Sequence, residues 1–160
     1  MVDSDDLDFD RFSCHDDSVY GLALQLGDPA ANDWRSDLVL DIDHIVEWIP
    51  GEAGMRFRVA PATLVFHGVS DLRIEIDWGM HGWQVAPAPP TIDRIERERM
   101  REDAQRIFLD RPYYLWRIAF ASPSGGSIRF GAVAFDLTLR REPLLLDEQH
   151  IPASLREGGG

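Results

Sequence analysis

His15-Asp16-Asp17 places an imidazole and two carboxylates on consecutive positions just ahead of an apolar run. Such a set can share a proton or ligate a metal. The competing reading is structural: a short acidic side chain accepts a turn hydrogen bond and His15 anchors the loop. No second motif completes a site, so the structural reading is preferred and no catalytic residue is assigned. Cys14 beside His15 suggests a thiol mechanism, but adjacency in sequence does not bring two reactive atoms together. Asp41 and Asp43 lie two apart, which sets them on one face of a strand, where Glu47 would extend an acidic patch. Carboxylates on the outer face of a sheet are ordinarily solvated, so no metal is assigned to them. A third constellation is Trp78-Gly79-Met80-His81-Gly82-Trp83, two indoles flanking a glycine loop, which can grip a partner residue or pack the loop down. The binding candidates are therefore His15, Asp16, Asp41, Asp43, Trp78, His81 and Trp83. No metal and no cofactor are expected.

Strands must position these residues, because period-two alternation runs through most of the chain. Leu22, Leu24 and Leu26 alternate in a first strand; Leu38, Leu40, Ile42, Val46 and Trp48 share one face of a second. From Arg56 to Trp78 the pattern predicts two adjacent strands paired as a hairpin, with the turn at His67–Asp71. The apolar set changes parity at Ala60-Pro61-Ala62, which predicts a bulge or an edge break, and again at Gly131, which predicts a bulge. Thr91–Arg97 reads as a strand and Arg99–Phe108 as the one helix, ended by Arg111-Pro112. Tyr114, Trp116, Ile118 and Phe120, then Ile128 and Phe130, then Val133 to Leu139 complete the strands, and Leu144–Leu146 can cover an edge of the sheet. Seven to eight strands with one helix and no βαβ repeat predict a mainly β fold, an antiparallel sandwich or partly open barrel. Its core is expected to hold Leu64, Phe66, Leu72, Ile74, Ile76, Trp116, Ile118, Phe135 and Leu137.

The 160 residues, 44% of them hydrophobic, suit one domain, 1–160, with an acidic tail at 1–12 and a disordered end at 157–160. A net charge of -12 opposes binding to nucleic acid and to anionic membrane surfaces and favours a basic partner. The single cysteine excludes an intramolecular disulfide. With an acidic N-terminus and no apolar run near the roughly 20 residues that span a bilayer, a cytoplasmic location is expected.

The segments Asp41–Trp48, Ala60–Phe66, Asp71-Leu72 and Ile128–Ala132 together resemble a family of small bacterial β-rich proteins of unknown function. Cys14–Ser18 resembles the His-Asp opening of some toxin-immunity proteins. The second resemblance implies an acidic surface and no catalytic site. Two functions follow as expectations: a non-enzymatic protein-binding module, of the immunity-inhibitor type, that engages a basic partner; or a small-ligand-binding or metal-dependent enzyme with a His/Asp site at the end of the β-structure.

Overall fold

In the computed structural model, which describes residues 9–79, 88–101 and 111–156, the alternating runs become one nine-stranded antiparallel sheet. The strands are β1 (Ser18–Leu26), β2 (Ser36–Gly51), β3 (Gly54–His67), β4 (Ser70–Glu75), β5 (Thr91–Arg99), β6 (Tyr114–Ser122), β7 (Ser127–Ala132), β8 (Ala134–Leu139) and β9 (Leu144–Leu146). A 3-10 turn at Pro29–Ala31 and a short helix α1 (Ala153–Arg156) complete the described elements. The order is β4-β7-β6-β5-β1-β2-β3-β8, with β9 added to β3. Between β5 and β1 the ladder is a single pair, Thr91 opposite Ser18. The sheet turns at that corner and stays open at β4 and β8, giving the expected mainly β, antiparallel, unclosed architecture in two layers.

Burial of the alternating apolar residues holds the layers together. Leu38, Leu40 and Ile42 of β2 and Ala62, Leu64 and Phe66 of β3 join Trp116, Ile118 and Phe120 of β6 and Ile128 and Phe130 of β7 in one core. The Phe66 ring meets Trp116 at 5.0 Å and Phe130 at 4.7 Å, both edge to face, the arrangement aromatic quadrupoles prefer. Each such side chain, fully buried, contributes about 1.5–3 kcal/mol. Phe9 reaches Trp116 at 5.5 Å and Phe12 reaches Phe135 at 4.8 Å. The expected tail at 1–12 is thus docked from Phe9 onward, while residues 1–8 lie outside the described ones.

Three local expectations change. First, β3 and β4 are not a hairpin: β3 lies between β2 and β8, and β4 pairs with β7. Gly68, at φ 65°, does make the turn, but the turn carries the chain from one layer to the other. It is tied down by Val69 N donating to Ser36 O at 2.8 Å and Ser36 Oγ to Val69 O at 2.9 Å. Alternation identifies a strand but not the layer it joins, and on this edge strand Ile74 is 44% exposed instead of buried.

Second, of the bulge or edge break expected at Pro61, β3 has the break and not the bulge: on its outer edge β8 pairs with Ala62 to His67 and β9 with Phe57 to Val59, while its register with β2 runs on through Pro61. Ala60, Ala62, Leu64 and Phe66 stay in phase on the inner face, while Phe57 and Val59 are buried on the other face by Ile45, Ile151, Leu144 and Leu146. The parity change marks the place where burial passes from one face to the other. The register shift falls on β2 instead, between Ile45 and Glu47. Beyond it Val46 and Trp48, expected on the inner face, are exposed. Third, the change after Gly131 is a crossing between layers: β7 pairs with β6 and β4, whereas β8 pairs with β3. A side chain on Gly131 would meet the Tyr113 ring, which would have to move aside.

β5 continues through Arg99, where the helix was expected to begin, and residues 102–110, the rest of that segment, lie outside the described ones, as do residues 157–160. Leu144–Leu146 does cover an edge, as β9 on β3.

Candidate functional site

The residues ahead of β1 cross the open end of the inner face, where β1 stops and the next stretch of β2 is left with unpaired backbone groups. Asp17 fills that place. Its Oδ1 accepts from Ile45 N at 2.9 Å, and its Oδ2 lies 2.7 Å from His44 Nδ1. A carboxylate can only accept, so Nδ1 carries the proton and Nε2 is left for a second partner. Cys14 lies beneath, buried in the core, with its sulfur within 4.8 Å of the Asp17 carboxylate. Asp17 is fully buried. Burial raises its pKa, and the His44 and Ile45 hydrogen bonds oppose that rise only in part. The Cys14 thiol is raised well above its ordinary value, first by burial and then by the neighbouring carboxylate, so it is no ready nucleophile.

His44 also lines a cleft of about 660 Å³, with Arg11, His15, Trp48, Phe135 and Asp136 among its walls. The His15-Asp16-Asp17 constellation is not gathered into one place: Asp17 is turned inward to His44, while His15 stays exposed beside Asp16. His15 is exposed and turned to Asp16, 3.4 Å from its carboxylate, with its ring 6.2 Å from that of Trp48. Asp16 accepts from Gln149 Nε2 at 2.9 Å. The pairing the fold makes is Asp17 with His44, and His44 was not among the predicted site residues. A signal for it exists in the sequence: His44 continues the inner-face phase of Leu38, Leu40 and Ile42, so an imidazole falls on an apolar stripe.

Asp41 and Asp43 share a face of β2, as their spacing requires, but they do not form a solvated patch. Asp43 is 0% exposed. It accepts from Ile151 N at 2.8 Å and is paired with the Arg156 guanidinium, whose other nitrogen reaches Asp41 at 2.7 Å. Arg140 also pairs with Asp41. The α1 end of the chain thus closes over both carboxylates. Glu47 is shifted out of this set and pairs with Arg58 at 2.8 Å. Trp78 is partly exposed and its indole N–H donates to Ala88 O at 2.9 Å, while His81 and Trp83 lie outside the described residues.

A different surface is open. β1 has no charged residue, and from Tyr20 to Leu26 its edge away from β2 has no ladder partner among the described residues. Leu22 and Leu24 stand directly opposite Leu40 and Leu38 but, unlike them, are exposed, as are Tyr20 and Leu26. Trp34, on the loop that follows, is 74% exposed. No helix among the described residues is long and apolar enough to cross a membrane. In comparisons of the chain with protein-family models, curated proteins and solved structures, nothing matches.

Proposed function

We propose that this chain is a non-enzymatic protein-binding module that receives a basic protein partner along β1. The observation that carries the reading is the uncharged edge of β1, unpaired among the described residues, with Tyr20, Leu22, Leu24 and Leu26 exposed, in a protein of net charge -12. Edge strands are ordinarily blunted by charge, proline or a covering segment, because free N–H and C=O groups recruit another strand. An extended segment of a partner laid against β1 would continue its layer and cover the leucines, with main-chain hydrogen bonds giving affinity. Trp34 supplies the rigid aromatic anchor typical of binding hot spots. The negative field would speed the approach of a basic partner, while the apolar contact sets the lifetime. Inhibitors of the immunity type, which commonly carry an acidic surface and no catalytic set, are the class this arrangement suits.

The test is direct. A partner is captured from the native host, purified, and its binding kinetics are measured against the wild type, Leu24→Lys and Trp34→Ala. The reading expects a basic partner whose association slows with added salt and whose complex dissociates faster in both variants. An acidic partner, salt-indifferent association, or lifetimes unchanged by both variants would overturn it. So would a homodimer that Leu24→Lys dissolves, since a second copy would then be the occupant.

A further inference from the structure

From the geometry at the N-terminal crossing we infer that Cys14, Asp17 and His44 form a binding site for one borderline divalent cation of the Zn²⁺ kind. One thiol sulfur, one carboxylate oxygen and one imidazole nitrogen, from residues that are buried or nearly so, all lie within 4.8 Å of one another. A tetrahedral ion, with oxygen and nitrogen at about 2.0 Å and sulfur at about 2.3 Å, needs ligand atoms roughly 3.3 to 3.5 Å apart. The present 2.7 Å between Asp17 Oδ2 and His44 Nδ1 is a hydrogen-bond separation, so it opens by about 0.6 Å when an ion takes the proton's place between them.

Three further features fit a cation. Thiolate, carboxylate and neutral imidazole carry two negative charges, which one divalent ion cancels in a place where an uncompensated charge is costly. The ligand set mixes soft sulfur with nitrogen and oxygen, which suits Zn²⁺ or Co²⁺ better than the oxygen-seeking Mg²⁺ or Ca²⁺. Asp17 Oδ1 is held by Ile45 N, the kind of outer contact that fixes a ligating carboxylate. Because His44 lines the cleft, the fourth coordination position has a route to solvent or to a small ligand.

Proton balance is simple. Binding releases the Cys14 thiol proton. The imidazole passes from its Nδ1–H to its Nε2–H tautomer with no net change, so one proton leaves per ion bound.

The experiment adds Zn²⁺ and, separately, Co²⁺ to purified full-length protein. Calorimetry in buffers of different ionisation enthalpy counts ions and protons, and absorption spectroscopy looks for sulfur-to-cobalt charge transfer. The expected result is one ion bound, one proton released and a thiolate band with Co²⁺. Cys14→Ser and His44→Ala should each weaken binding by at least about 10-fold, judged against what losing even an outer-shell contact costs. His150→Ala, whose exposed imidazole pairs with Glu148 and is not part of the cluster, should change nothing. Absence of the thiolate band or of stoichiometric binding in the wild type overturns the assignment, and this holds even if a variant fails to fold. Binding that survives in both ligand variants overturns it too.

Discussion

Arg156, the last residue of α1, places its guanidinium on the fully buried carboxylate of Asp43, 113 positions earlier on β2. The same side chain reaches Asp41 and lies 3.8 Å from the centre of the Tyr20 ring. One cation thus fastens the C-terminal segment to two strands.

Removing that cation leaves Asp43 buried without the charge that neutralises it, although Ile151 N still donates to it. Arg156→Ala should therefore cost about 3–5 kcal/mol, the range for breaking a buried pair. Arg140→Ala, at the exposed side of Asp41, should cost at most about 1 kcal/mol. Urea denaturation of both variants checks this, and equal losses would contradict the arrangement.

Ile118 and Ile74 separate the core from its edge. Ile118 is 0% exposed between the layers, and Ile118→Ala should cost about 2–5 kcal/mol through lost burial and the cavity left behind. Ile74→Ala should stay within about 1 kcal/mol, as surface substitutions generally do. Thermal or chemical unfolding of the pair distinguishes them.

His67 lies between Asp136, 2.6 Å from Nε2, and Asp37, 3.2 Å from Nδ1, and so bridges β2, β3 and β8. Burial opposes its charge, but the two carboxylates outweigh burial and its pKa is raised. A raised folded pKa means that the folded state holds the proton more tightly. The resulting stability is fully present below the unfolded histidine value, about 6.5, and is lost as pH rises through the raised folded value. Unfolding midpoints measured on both sides of neutrality should fall with rising pH in the wild type. In His67→Ala that part of the slope should be absent.

Leu24→Lys tests whether β1 serves binding rather than folding. Leu24 is 45% exposed among the described residues, so unfolding should shift by no more than about 0.5 kcal/mol. Retained stability with lost association is the expected combination. A large loss of stability would mean that β1 is needed by the core.

The sequence by itself determined that this chain is built of strands, roughly where each begins, and that it makes one mainly β antiparallel fold. Alternation is a local property: the pleat sends successive side chains to opposite faces whatever lies beyond. That is why Leu64, Phe66, Trp116 and Ile118 were legible as core, and Leu38, Leu40 and Ile42 as one face of a strand. The shared face of Asp41 and Asp43 was legible for the same reason. Only the tertiary structure decided which strand pairs with which, and what covers each face. Gly68 gives a turn in a hairpin and in a crossing between layers alike, so the separation of β3 from β4, and with it the exposure of Ile74, depends on partners far along the chain. Asp43 looked solvated because the cation that covers it comes from residue 156. His44 joins Asp17 across 27 intervening peptide links, a meeting that no spacing rule within one strand could register. Contacts of that kind depend on the path of the whole backbone, because a side chain's charge state and exposure follow from what folds over it.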